Sequence, residues 1–518
     1  MEIIEDTAIK LTVDNSIADR VFDVLENSEL IQNKGDKKDI LVYWGHNETS
    51  FLTSLTNKNL PSPMLRDYSW PGLYKPFDHQ KTTASFLSLR RRAFCFNEAG
   101  TGKTSSVIWA ADYLMELGLV KRVLIICPLS IMYSAWQADI FNTAMHRTAG
   151  VAHGNVDRRK KIINGSYDFV IINYDGVDIV REDLLDKFDL IVVDEANAYK
   201  TASTKRWKAL AKTLLPSTRL WMLTGTPASQ SPLDAFGLAK FINPGGVPKF
   251  YTAWRDMVMA PAGRFRWVPR PRSENLVHRA LQPAIRFTKK ECLDLPDVMY
   301  QTRDVPLVPS VAAYYKKLKA QMLIEAAGQS ISAVNAAANL NKLLQISGGA
   351  VYTDDKSVVE FDVSPRLKAL KEVLDETSNK VIIFVPYLHT IGVVGDFVKS
   401  NGYTYDCING SVSARERAAI IDKFQQQQDP KLLIIQPQSA SHGVTLTAAD
   451  TIVFWSPVMS VETYIQCIGR IDRVGQRNKM TVVHLQGSEV EHKIYAMLQG
   501  KVDAHIKLVD LYKQEIGA

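Results

Sequence analysis

Cysteine is sparse. Cys95, Cys127, Cys292, Cys407 and Cys467 stand far apart with no C-x-x-C pair, which excludes the common zinc-ribbon and zinc-finger spacings and suggests no disulfide framework. Such usage fits a reducing, intracellular compartment. Long apolar runs are also missing, so a bilayer-spanning helix, which needs about 20 such residues, is not expected. The N-terminus, Met1-Glu2-Ile3-Ile4-Glu5-Asp6, is acidic, unlike a secretory leader. Neither sign of charge dominates: 62 Lys/Arg against 55 Asp/Glu leave a formal +7 over 518 residues, which permits a polyanionic partner without demanding one. No internal repeat of solenoid period is present. The one biased tract, Gln425–Gln428, reads as a solvated helix end.

What remains is an ordinary globular composition, 46% hydrophobic and 23% charged, long enough for at least two domains. Residues 1–70 carry no chemistry motif and end in Pro/Gly punctuation from Pro61 to Pro76; they read as a small N-terminal accessory module and linker. Over 71–245, the apolar runs Ala93–Phe96, Arg122–Cys127, Phe169–Asn173, Leu190–Val193 and Leu220–Leu223 alternate with helical segments. That rhythm predicts a parallel sheet covered on both faces. Residues 246–360 break it as a basic and helical insertion or connector. It resumes over 361–487 with Val381–Val385, Tyr403–Ile408, Leu432–Ile435, Thr451–Trp455 and Thr481–Leu485, and 488–518 reads as a C-terminal helical brace. The fold class expected is therefore α/β, with two doubly wound parallel-sheet lobes plus the small N-terminal module.

Chemistry concentrates at strand ends. Asn97-Glu98-Ala99-Gly100-Thr101-Gly102-Lys103-Thr104 follows an apolar run and opens a helix, the context of a phosphate-binding loop. Backbone amides of Gly100, Thr101 and Gly102 would hold phosphate oxygens, Lys103 would neutralise the β/γ-phosphates, and the Thr104 hydroxyl would sit on Mg²⁺. The strict pattern wants glycine where Asn97 stands. Asp194-Glu195 follows Leu190–Val193, where a carboxylate at a strand tip faces the ligand crevice. Asp194 could hold Mg²⁺, and Glu195 could polarise the attacking water. Leu223-Thr224-Gly225-Thr226-Pro227 is, read alone, a turn with capping hydroxyls. Arg470 and Arg473, three apart, would share one face of a helix, and two guanidiniums there suit triphosphate oxygens.

These motifs, in this order, resemble the Swi/Snf-like branch of the superfamily 2 helicase-like ATPases over roughly residues 72–505. Lys75 to Gln80 is similar to the segment in which a glutamine reads adenine, with Gln80 at that place. Cys127-Pro128-Leu129-Ser130 through Trp136 looks like the C-P-x-S…W element near a bound strand. Leu223–Pro227 matches L-T-G-T-P. Ser364-Pro365-Arg366-Leu367 resembles the lead-in to the second lobe, Gly443 to Asp450 the G-L-N-L-T-A-A-D segment, and Gln466 to Gln476 the Q-A-x-x-R-A-H-R-I-G-Q element. Asn197 stands where the family has histidine, which puts the link to L-T-G-T-P in question; Asp472 replaces another histidine.

The resemblance implies two RecA-like lobes with ATP and Mg²⁺ between them. Gln80, the loop Gly100–Thr104, Gly443 and Gln466 would contact nucleotide; Lys103, Asp194, Glu195, Arg470 and Arg473 would act on its phosphates. Ser130, Trp136, Thr224 and Thr445 would lie along nucleic acid. The Arg255–Lys290 stretch, with Arg264, Arg266, Trp267, Arg270 and Arg272, is a further nucleic-acid candidate because bases and aromatics interleave there. The implied partner is DNA, double-stranded or forked, bound by a monomer, with replication or recombination proteins beyond it. The implied setting is the cytoplasm of a bacterium or virus-infected cell, or a nucleus if eukaryotic. Three functions follow: a DNA translocase acting in fork remodelling, annealing, branch migration or protein displacement; a strand-separating helicase on DNA or RNA; and a nucleotide-dependent scaffold without turnover.

Overall fold

The computed structural model describes residues 1–500 except 57, 229–230, 263–266, 294, 327–332, 353–356 and 441–443. It divides into two units, residues 1–292 and 293–518.

The first unit opens with an antiparallel sheet in the order β1-β2-β4-β3, from β1 (Glu2–Ile4), β2 (Ala8–Asp14), β3 (Ser28–Lys34) and β4 (Lys37–Tyr43). Alternation sets its inner face: Ile9, Leu11 and Val13 on β2 and Ile40 and Val42 on β4 pack with Ala18, Val21 and Leu52 from the helices Asn15–Val24 and His46–Thr56. This module is acidic, with eleven Asp/Glu against six Lys/Arg over residues 1–60. Trp44 Nε1 donates to Pro61 O (2.9 Å), and Arg90 donates to Asn59 Oδ1 (2.7 Å), fixing it to the next layer.

That layer is an all-parallel seven-stranded sheet built from β5 (Arg92–Cys95), β6 (Val123–Cys127), β7 (Ala149–Val151), β8 (Phe169–Asn173), β9 (Leu190–Val193), β10 (Arg219–Leu223) and, after the hairpin β11 (Met259–Pro261) and β12 (Trp267–Pro269), β13 (Ala284–Ile285). Its order is β13-β5-β10-β9-β6-β8-β7. The strands read as near-continuous Val/Ile/Leu because both faces are covered, one core on each side. The order matters for function: β5, β10 and β9 are consecutive neighbours, so the loops leaving all three lie side by side.

The second unit is a six-stranded parallel sheet, order β14-β21-β20-β17-β19-β18. Its strands are β14 (Val298–Asp304) and, after the short pair β15 (Ala350–Tyr352) and β16 (Val358–Glu360), β17 (Lys380–Phe384), β18 (Tyr405–Ile408), β19 (Leu432–Ile435), β20 (Ala449–Phe454) and β21 (Met480–Gln486). The segment 246–360 thus contributes β13 to the first sheet and β14 to the second. Arg366, on the helix Ser364–Glu376, makes a bidentate pair with Glu491 of the helix Glu489–Leu498 (2.9 and 2.8 Å) and also donates to Trp455 O. Glu491 in turn accepts from the backbone N–H groups of Gly487 and Ser488. Both charges are buried, 3% and 0% exposed at the side chain, and further hydrogen bonds surround the pair, as burial requires. Among the described residues no helix is long and apolar enough to cross a membrane.

Candidate nucleotide site

The loop after β5 turns into the helix Lys103–Glu116 through Gly102, whose φ of 77° is left-handed and whose missing Cβ leaves room for the Gln80 amide. Gln80 does two jobs at once. Its Oε1 accepts from Phe77 N (2.9 Å), capping the helix Asp78–Ser88, and its Nε2 donates to Gly102 O (3.4 Å). His79 Nε2 lies 2.8 Å from Thr101 O, and Thr101 Oγ1 donates to Glu98 O (2.8 Å). Lys103 Nζ donates to two loop carbonyls, Asn97 (2.8 Å) and Glu98 (3.1 Å). Thr104 follows it as the second residue of the helix, partly buried.

Asn97, which departs from the glycine of the strict loop pattern, has a defined place. It is fully buried; its Nδ2 donates to Thr83 Oγ1 (2.8 Å) and its Oδ1 accepts from Phe287 N (3.0 Å). The side chain stitches the loop to a neighbouring helix and to the chain leaving β13, work that glycine could not do. Beside it, Phe77, His79, Thr82, Arg286, Phe287 and Glu291 help line an open cavity of about 510 Å³. The Phe77 and His79 rings are stacked (5.7 Å between centroids), and Phe287 meets His79 edge-on. Phe287 and Arg286 were beyond local sequence signal, because they reach the loop only through the pairing of β13 with β5.

Asp194 leaves β9 partly buried, accepting from Trp136 Nε1 (2.9 Å) and from the Glu195 N–H (2.9 Å). Burial pushes its carboxyl above the usual range, while the positive charge of Lys103 and the two hydrogen bonds pull it down. Glu195 sits at φ 47°, a left-handed conformation costly for glutamate, of the kind that concentrates at functional sites. Tyr174 braces the strained turn, its OH donating to Asp194 O (2.7 Å) and lying 3.3 Å from Glu195 O. The sequence offered no motif around Tyr174; a tyrosine just past an apolar run and beside Asp175 is its only mark.

Trp136, expected along a bound strand, has a different setting. It lies on a π-helical turn, Met132–Gln137, is fully buried, and spends its indole N–H on Asp194, so it offers no ring face to solvent. Ser130 lies in the short turn Leu129–Ile131. Thr224 is likewise buried; its Oγ1 accepts from Thr226 N (3.3 Å) and shapes the turn after β10. The question raised by Asn197 has an answer: its Nδ2 donates to Thr226 O (3.0 Å) and lies 3.2 Å from Thr226 Oγ1. The tie between the Asp194-Glu195 turn and the turn after β10 is therefore present, carried by an amide.

Of the basic stretch, Arg264 and Arg266 lie outside the described residues. Trp267 begins β12, with the Arg255 guanidinium 4.2 Å from its ring centre. Arg270 is occupied internally, donating to Asp256 O and Met259 O (both 2.9 Å). Arg272 has a left-handed φ of 65° ahead of the helix Ser273–Ala280.

In the second unit the helix Val461–Ile468 ends before the arginines, with Gly469 as its cap. Arg470 and Arg473 therefore do not share a helix face; a common acceptor brings them together. Arg470 Nη1 and Arg473 Nη1 both donate to Val444 O (3.0 and 3.1 Å), and Arg470 Nε also donates to Gln466 O (2.7 Å). Gln466 and Arg470 are buried, and Thr445 is partly so. Gln476 ties the following turn down through Ala449 O (2.8 Å). Gly443 lies outside the described residues.

A glycine turn at a helix N-terminus, a lysine at its first position and a carboxylate on a strand tip of the same sheet edge, one strand removed, can together hold a phosphate chain and a divalent cation. The residues fit Mg²⁺: a partly buried carboxylate whose desolvation favours a cation partner, and a hydroxyl opening the adjacent helix. Residues 79–349 match the SNF2-related domain and residues 365–475 the helicase conserved C-terminal domain. The chain is 24% identical to protein p41 of Acyrthosiphon pisum secondary endosymbiont phage 1, covering 79% of this chain and 92% of that protein. It is 23% identical to an uncharacterised ATP-dependent helicase of Mycoplasma genitalium, covering 90% of this chain but only 44% of the relative. A Sulfolobus solfataricus SWI2/SNF2 ATPase core, solved in complex with dsDNA, is similar at 23% identity and a TM-score of 0.42, covering 86% of this chain and 96% of that one. With the first family match spanning more than half its length, the chain belongs to the SNF2-related family of helicase-like ATPases.

Proposed function

We propose that this protein is a DNA translocase that hydrolyses ATP with Mg²⁺ to move along duplex or forked DNA. The observation that carries the reading is the convergence of the Lys103 loop, the Asp194-Glu195 turn and the Asn197–Thr226 tie at the ends of three neighbouring strands. Lys103 exchanges its two loop carbonyls for phosphate oxygens, a charge-assisted and therefore stronger set of partners. Gln80 and the Phe77–His79–Phe287 cavity take the planar base. Thr104 and Asp194 hold the cation, which neutralises phosphate charge when bound. Glu195 orients the attacking water and takes its proton; the Tyr174 brace keeps that carboxylate in place. Trp136 acts as a positioning residue for Asp194. We assign Arg470 and Arg473 to the charge that develops on the phosphates during turnover.

The DNA part of the reading rests on the family and on the basic stretch, which carries ten Lys/Arg against two Asp/Glu over residues 246–290. Displacement of a triplex-forming strand, driven by ATP and without unwinding of the duplex beneath, is the expected result. Robust unwinding selects a strand-separating helicase instead. Turnover no higher than that of Lys103→Ala leaves only a scaffold.

A further inference from the structure

The helix Tyr251–Val258 is firmly anchored yet openly apolar outside. Trp254 and Val258, four apart, are buried at 1% and 0% exposure, and Trp254 Nε1 donates to Pro232 O (3.2 Å). Arg270 latches the β11–β12 hairpin back onto the helix through Asp256 O and Met259 O. Around this fixed core, Phe250 is 65% exposed, Tyr251 48% and Met257 44%. Cations lie near three of the rings here: Lys249 is 5.5 Å from the Phe250 ring centre, Lys240 5.2 Å from Phe236, against which Tyr251 packs edge-on, and Arg255, which also pairs with Asp256 (2.9 Å), 4.2 Å from Trp267. The surrounding stretch, residues 246–290, carries ten Lys/Arg against two Asp/Glu.

Exposed rings on a rigid element mark an interaction surface. The surrounding cations select a polyanion. A duplex answers the cations only, because its base faces are stacked on one another. A strand with unpaired bases answers both, phosphates to the cations and base faces to the rings. We propose that Phe250 and Tyr251, flanked by Lys240, Lys249 and Arg255, form a stacking platform for unpaired nucleotide bases, so that the single-stranded arm of a fork is held at this helix. The proposal rests on the DNA reading above and narrows it to forked or partly single-stranded substrates.

The test uses the full chain and fluorescence anisotropy with three probes: oligothymidine of about 20 nucleotides, an abasic strand of equal length, and a duplex. Phe250→Ala/Tyr251→Ala should weaken oligothymidine binding by about tenfold or more, while duplex binding changes by less than about twofold. The abasic strand should bind the wild type more weakly than oligothymidine does, and bind both proteins alike. Phe250→Trp/Tyr251→Phe should retain tight oligothymidine binding, which separates stacking from a folding defect. Unchanged oligothymidine affinity in the double alanine variant, equal loss on strand and duplex, or an abasic strand that binds the wild type as well as oligothymidine each overturns the platform. ATPase activity that no DNA stimulates, alongside the expected binding losses, would sink the translocase reading and leave the platform standing.

Discussion

The two parallel-sheet units carry their charged groups on opposite sorts of loop. In the first unit, the phosphate loop, the Asp194-Glu195 turn and the Thr224–Thr226 turn all leave strands: β5, β9 and β10, consecutive in the sheet. In the second, the Val444–Thr447 loop leads into β20, and the turn bearing Arg470 and Arg473 leads into β21. The first set is tied together by side chains from distant segments: Asn97 to Phe287, Trp136 to Asp194, Asn197 to Thr226. The second converges on one carbonyl, that of Val444. On the proposed reading the first unit would receive an anion and a cation, and the second would present two guanidiniums. Substitutions in the two units should therefore fail in different ways.

The largest contrast is expected between Lys103→Ala and Arg473→Ala. The first should lose nucleotide binding and turnover together, turnover by at least about a hundredfold. The second should keep binding while turnover falls by about a thousandfold. Titration with a fluorescent ATP analogue beside a phosphate-release assay separates them; parallel loss of binding in both would erase the distinction. Next in size is Arg366→Ala, which strands the buried Glu491 carboxylate and should cost about 3–5 kcal/mol in urea unfolding. Nucleotide binding, assigned to the first unit, should survive in mild conditions.

His46 offers a smaller handle, confined to the first unit. Burial, with Arg219 adding to it, lowers its pKa to about 4, and neither ring nitrogen has a protein partner. The folded state therefore favours the neutral ring. As pH falls below about 6.5 the unfolded chain takes up a proton that the folded one refuses, so stability drops until about pH 4, by about 3 kcal/mol in total. His46→Phe should flatten that slope, which thermal unfolding at pH 7 and pH 4.5 would register. Smallest is Asn97→Gly, which restores the strict loop pattern. Loss of the bonds to Thr83 and Phe287 should cost about 1–3 kcal/mol without tightening nucleotide binding. A tighter complex would show that the asparagine is a defect after all.

Much of this was legible in the sequence, and the reasons differ from element to element. Leu190–Val193 and Leu432–Ile435 are continuous apolar runs because both faces of a parallel strand are buried, and they fall where expected. β14 escaped because its residues, Val-Met-Tyr-Gln-Thr-Arg-Asp, lie at a sheet edge with most side chains exposed. β13 escaped because two residues carry no periodicity. The alternation of Ile9, Leu11 and Val13 marks the N-terminal sheet, yet nothing in it bears chemistry, so a functional reading passes over it. Type and spacing alone put Lys103 at the start of a helix and Asp194 just past a strand, and there they stand. The arginine pair was readable as a pair but not in its geometry, since a three-residue spacing suggests a helix face and Gly469 ends the helix first. Trp136, Tyr174 and Phe287 needed the fold itself, because each reaches the site across a sheet.

The most direct test of the central claim is steady-state ATP hydrolysis by the wild type and by Glu195→Gln, with and without duplex and forked DNA. The expected result is turnover that rises several-fold with DNA in the wild type and stays at background in the variant under every condition, while the variant still binds nucleotide. Wild-type turnover that matches the variant, or that no DNA stimulates, would contradict an ATP-driven motor on DNA.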